Sequence, residues 1–227
     1  MKYKLLIQSL CIGFLGALAL SVNASSLSVT IVDDEQQPVE DVVVELLPQK
    51  LSEEPNSQSS ELTKSLHEIG QRNRTFEPFI SAVTVGSKID FPNYDKTRHH
   101  VYSFSKAKTF ELKLYVGRPD TRIHFDKAGV VAIGCNIHDY MQAFIYVGGS
   151  PWLGVTEANG KLAFKQLPKG SYQLNLWHPW EVEPFEKKEV VVTEDKQSIT
   201  LTFNIEDKEK PSPPDNKWQD LFKADND

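Results

Sequence analysis

The chain has 227 residues, 40% of them hydrophobic and 25% charged, enough to close a sizeable core and near the average of soluble folds. That composition excludes a collagen-like, wholly disordered or multi-span membrane protein. A formal charge of −6 has the wrong sign for a protein that wraps nucleic acid, whose phosphates demand clustered Lys and Arg.

Lys2 and Lys4 precede an uncharged apolar run from Leu5 to Leu20, and Val22-Asn23-Ala24 closes it with small residues. Residues 1–24 therefore read as a cleaved secretory signal. The run is shorter than a bilayer span needs, so no membrane insertion is expected after cleavage and the mature chain is placed in the periplasm. Gln8-Ser9-Leu10 lacks the small residue that precedes a lipidated cysteine, so Cys11 leaves with the signal. The mature chain then carries 23 basic and 31 acidic residues, a charge of −8. Its one cysteine, Cys135, excludes an intramolecular disulfide. An unpaired thiol in an oxidising compartment must be buried, bonded to a partner or held by metal.

Ser28–Val32 and Val42–Leu46 are β-branched runs flanking a polar turn that ends at Pro38, and read as two strands. Residues 49–65 are rich in Ser, Glu, Gln and Pro and read as a linker. Strand-like runs follow at 66–72, 82–92, 101–105, 109–116, 122–125, 130–134 and 143–147. Alternation is clearest where Phe110, Leu112 and Leu114 face one way. A second group, at 161–165, 172–177, 187–192 and 199–203, has turns at Asn159-Gly160 and Pro168-Lys169-Gly170. No segment carries a long helical pattern. From residue 206 to 227 the chain is charged and proline-rich and reads as a disordered tail, although Trp218, Leu221 and Phe222 are spaced as one helical turn would place them.

Cys135-Asn136-Ile137-His138-Asp139-Tyr140-Met141 offers a thiolate, an imidazole and a thioether at Cys-x2-His-x2-Met spacing directly after a strand. Singly, Cys135 reads as a small buried hydrophobe, His138 as a loop residue and Met141 as core filler. Together, the only mature Cys and Met bracket a His, and a second imidazole stands upstream at His99 or His100. Two imidazoles and a thiolate with a weak axial thioether describe a blue copper centre. Alternation sets His100 with Tyr102 and Phe104, which look like core, and so leaves the choice between the two histidines open. Asp139, next to His138, is expected to favour the imidazolium.

Phe91-Pro92-Asn93, His99 through Ser105, Phe125-Asp126 with Gly129-Val130-Val131, and Gly134 through Met141 resemble the cupredoxins. Within them the stretch is similar to the amicyanin and plastocyanin group and to bacterial proteins labelled methylamine utilisation proteins. The resemblance implies a Greek-key sandwich over residues 66–148 holding one type 1 copper through His99, Cys135, His138 and Met141. Ile137 and Asp139 stand where amicyanin has prolines. Leu27–Pro48 with residues 156–160 and 167–172 resemble the transthyretin-like regulatory domain found beside carboxypeptidases. Residues 25–48 plus 149–205 would then form a second β-sandwich with the cupredoxin inserted into it. Two sandwiches in tandem is the rival arrangement. The implied function is a periplasmic electron carrier rather than an enzyme, serving a c-type cytochrome or a dehydrogenase. A module for copper sensing or delivery is the alternative. The mature charge of −8 suggests a basic docking face on the partner.

Overall fold

The computed structural model describes residues 25–51 and 67–214. The signal segment 1–24, most of the linker and Trp218, Leu221 and Phe222 lie outside the described residues. Every regular element among the described residues is a strand, and no helix there is long and apolar enough to cross a membrane. In chain order they are β1 (Ser25–Val32), β2 (Val43–Leu51), β3 (His67–Glu68), β4 (Gly70–Arg72), β5 (Thr75–Glu77), β6 (Ile80–Thr84), β7 (Lys88–Asp90), β8 (His99–Phe104) and β9 (Thr109–Tyr115). There follow β10 (Ile123–His124), β11 (Gly129–Gly134), β12 (Gln142–Gly148), β13 (Leu153–Val155), β14 (Lys161–Leu167), β15 (Gly170–Trp177), β16 (Lys188–Val192) and β17 (Lys196–Thr202).

Two pairs of sheets each enclose a core. β14-β1-β17 faces β13-β2-β15-β16, and Leu27, Ile31, Leu46, Phe164, Tyr172 and Leu176 fill the space between them. β1 is the middle strand of its sheet, antiparallel to β14 and parallel to β17. Strands from both ends of the chain therefore share one core. The sheet β6-β12-β11-β8-β9 lies over β10-β7-β3, around Ile69, Ile89, Phe91, Phe125, Ile133 and Ile145. A third cluster joins the two bodies: Val43, Phe79 and Ile80 pack with Phe144, Tyr146, Trp177 and Trp180.

Several elements depart from the sequence reading. The run 82–92 is two strands, because Gly86 takes φ +94° and the chain turns there, with Ser87 N bonded to Thr84 O at 3.1 Å. β5 and β13, each three residues long, are too short to show alternation. Residues 49–51 belong to β2 rather than to a linker, since Leu51 pairs with Gly170. The stretch after 205 is held at its start: Glu206 N donates to Trp180 O at 2.8 Å, and Lys210 reaches Glu40 and Asp41 at 2.7 and 2.8 Å. Asn159-Gly160 closes a tight local turn, yet the strands it joins enter different sheets. Gly160 sits at φ +70°, where a Cβ would lie 2.4 Å from Ile31 O, so only glycine fits.

Candidate metal centre

β8 starts at His99, and β11 ends one residue before Cys135. The intervening loop is cinched shut before β12 begins: Met141 N donates to His138 O at 2.9 Å and Cys135 N to Met141 O at 3.3 Å. This brings His138 back over the thiol, with Nδ1 3.9 Å from Cys135 Sγ. The rings of His99 and His138 lie 5.0 Å apart. Donor atoms of His99, Cys135 and His138 all fall within 4.8 Å of one another. Cys135 and Met141 are buried in the same core cluster, while His138 is half-buried at the surface end.

The alternation of β8 decides where the two upstream histidines go. His99, Val101 and Ser103 point into the core, and His100, Tyr102 and Phe104 stack along the outer face with ring separations of 5.3 and 5.2 Å. Phe104 is 82% exposed. The aromatic face, core-like by composition, is thus the outer one, because Phe91, Phe125 and the strand aliphatics already fill the interior. His100 Nε2 bonds to Glu111 at 2.9 Å, away from the cluster.

His99 has no exposed surface, and its Nε2 is held by Asp95 Oδ2 at 2.8 Å. Its Nδ1 is buried with no protein partner. Asp95 also accepts the backbone N–H groups of Asn73 and Arg74, each at 2.8 Å. Burial opposes its charge, yet these two bonds and His99 hold its carboxyl below the usual range. Asn93 braces the same loop by donating to Thr97 O at 2.9 Å and Tyr115 O at 2.8 Å. A carboxylate behind a ligand imidazole fixes the ring and its tautomer. Asp95 was missed from sequence; its signal is an acid four residues before a histidine.

Burial depresses the proton affinity of His138, helped by His99 and by the charge of Arg74, and Asp95 opposes them. Asp95 is the carboxylate that also holds His99, and Asp139, next to His138 in sequence, is exposed. His67, His124 and His178 lie outside the cluster. His178, between Trp177 and Trp180, is a buried structural residue whose Nδ1 accepts the Trp180 N–H at 3.1 Å.

A buried unpartnered nitrogen, a buried thiol and a second imidazole converging on one point suit a soft or borderline metal such as copper. No protein-family model and no curated protein matches the sequence. Parts of the chain are similar to solved copper proteins. A copper-containing nitrite reductase from Thermus scotoductus is 23% identical over 38% of this chain and 23% of its own length, with a TM-score of 0.36. A purple cupredoxin from Nitrosopumilus maritimus is 18% identical over 36% of this chain and 99% of its own, at 0.33. An amicyanin variant is 17% identical over 40% of this chain and 89% of its own, at 0.33. The chain thus spans about a quarter of the reductase.

Proposed function

We propose that the protein binds one type 1 copper through His99, Cys135, His138 and Met141 and carries single electrons between periplasmic redox proteins. The observation that carries this reading is the convergence of three donor groups within 4.8 Å, one of them a buried imidazole nitrogen that no protein group satisfies. Copper would supply the exchange between Cu(I) and Cu(II). The chain's own residues supply the rest. Asp95 orients His99, the backbone bonds of the 135–141 loop hold His138 and Met141 against Cys135, and the surrounding core excludes water. A ligand set fixed before metal arrives changes little between oxidation states, which keeps electron transfer cheap in reorganisation. The apolar run at 5–20 supports export, and a c-type cytochrome or a dehydrogenase suits such a carrier as partner. Residues 25–48 and 149–205 are proposed to form a transthyretin-like scaffold around the carrier.

The visible spectrum of the copper-loaded mature protein tests this. An intense band in the red that vanishes in Cys135→Ala and survives, with a shifted potential, in Met141→Leu is the expected result. A colourless protein that holds only Cu(I) would instead mean delivery or sensing.

A further inference from the structure

We propose that the surface around His138 docks a partner bearing a cluster of carboxylates around its own electron entry point. This rests on the electron-carrier reading above and adds the chemistry of the partner. Residues 67–148 hold eleven Lys and Arg against eight Asp and Glu, a formal charge of +3, in a chain whose total is −6. The negative charge therefore belongs to the rest of the chain, and net charge misreports the face that meets a partner.

Part of the basic excess lies on two loops that meet at the site. Asp95 ties them together, accepting the N–H groups of Asn73 and Arg74 on one loop and bonding His99 at the end of the other. Those loops carry Arg74, Lys96 and Arg98, and Arg72 ends β4 just before the first of them; Arg72, Lys96 and Arg98 are exposed and Arg74 half-buried. Among the described residues Arg74, Lys96 and Arg98 form no ion pair, and Arg72 has only a 3.9 Å contact with Glu77. Arg72 also lies over the Tyr94 ring at 3.6 Å, and Tyr94 is itself exposed. Asp95, which accepts the Arg74 N–H, also holds His99, whose ring lies 5.0 Å from that of His138, so this rim reaches the metal-binding end. The facing carboxylates are Glu77 against Arg72, Glu68, which accepts from the Tyr94 O–H and is paired with Arg118, Asp95, which is engaged inside the loop, and Asp139, exposed beside His138.

Ile137 completes the surface, 47% exposed next to His138. An apolar contact point next to a cationic rim suits a small, transient interface in which rim charges set the rate and the choice of partner. At physiological salt a charge is felt over roughly 8 Å, so the local rim outweighs acids on the far sandwich.

The test uses the full mature chain and three probes. The metal-free protein is titrated with poly-L-glutamate and followed by amide NMR. Shifts are expected at residues 72–74, 96–98 and 136–138, lost in Lys96→Glu/Arg98→Glu and kept in Lys165→Glu, an exposed charge reversal on the other body. The reduced, copper-loaded protein is then oxidised by hexacyanoferrate(III), the protein losing one electron and the iron(III) complex gaining it. Its rate should fall about tenfold between low and high salt, and about tenfold in the double variant at low salt. Oxidation by the cationic tris(phenanthroline)cobalt(III) should show no such fall. Shifts absent or confined to the far sandwich, or a hexacyanoferrate rate that rises with salt as a repelling −8 protein would give, would overturn the proposal. Failure to load copper would sink the carrier reading alone, since the polyglutamate titration decides the surface without metal.

Discussion

Asp95 Oδ2 lies 2.8 Å from Nε2 of His99, and this one bond determines which nitrogen of a fully buried ring is left for the cluster. With Nε2 engaged, Nδ1 is the free donor. His100, one residue later, has the opposite orientation and a glutamate of its own.

The two histidines should therefore behave differently. His99→Ala is expected to weaken copper binding more than 100-fold because it removes a donor, and Asp95→Asn about 10- to 100-fold because the ring loses its support. His100→Gln should stay within about threefold of the parent. Competition titrations against a copper chelator measure all three. Equal losses for His99→Ala and His100→Gln would remove His99 from the site.

Glu45 on β2 is buried, and each of its oxygens accepts hydrogen bonds from the other body or from the chain leaving it. Tyr146 O–H donates to Oε2 at 2.8 Å, and Gly149 N and Ser150 N donate to Oε1 at 2.8 and 3.1 Å. Asn175 donates to the same Tyr146 hydroxyl at 3.1 Å. Burial, reinforced by Glu45, raises the Tyr146 phenol well above its ordinary range. Glu45→Ala removes the acceptor shared by three donors at a partly buried junction and should cost about 3 kcal/mol. Gly148→Ala sets a Cβ 2.7 Å from Glu45 Oε1 and 2.9 Å from Leu153 Cδ2, and should cost less in the Glu45→Ala background than in the parent. Thermal unfolding of both single variants and the double variant checks this; additive losses would mean that Gly148 is required for another reason.

The loop 135–141 was readable because its chemistry is local: three donor types sit within seven residues. His99 was half readable. Its distance from the loop in sequence is large, and the choice against His100 depends on which face of β8 meets the core. Composition misleads there, since Tyr102 and Phe104 form an outer aromatic stack. Asp95 stands only four residues before His99, a local signal that is too common to single it out, whereas the Glu45–Tyr146 contact was not readable because it joins residues 101 apart whose pairing only the folded chain defines. The short strands β5 and β13 were lost for a related reason, having too few residues for a period.

The position of β1 makes a prediction about folding. It lies between β14 and β17, and β2 lies between β13 and β15. A fragment of residues 150–205 lacks both middle strands, leaving unpaired backbone edges and losing Leu27, Val29, Ile31, Val44 and Leu46 from the core. It should show no cooperative unfolding transition, and adding a peptide of residues 25–51 should restore one. Cooperative melting of the fragment alone would favour two sandwiches in tandem.

His178 makes the protein's stability depend on pH. Burial, with a smaller contribution from Lys210, pushes its imidazole down to about 4, and its Nδ1 accepts the Trp180 N–H, which a protonated nitrogen cannot do. The unfolded chain takes up a proton on this ring near pH 6.5. Between pH 6.5 and 4 the unfolded state therefore binds more protons than the folded one, and folding stability falls as pH falls. The contribution is fully present above pH 6.5 and is lost progressively down to about pH 4, up to about 3 kcal/mol in all. His178→Gln removes the titration and should flatten that part of the stability curve. Denaturant unfolding of the metal-free protein across this range, compared with the variant, is the measurement, because it keeps copper ligation out of the slope. Parallel curves for parent and variant would show that His178 titrates alike in the folded and unfolded chain.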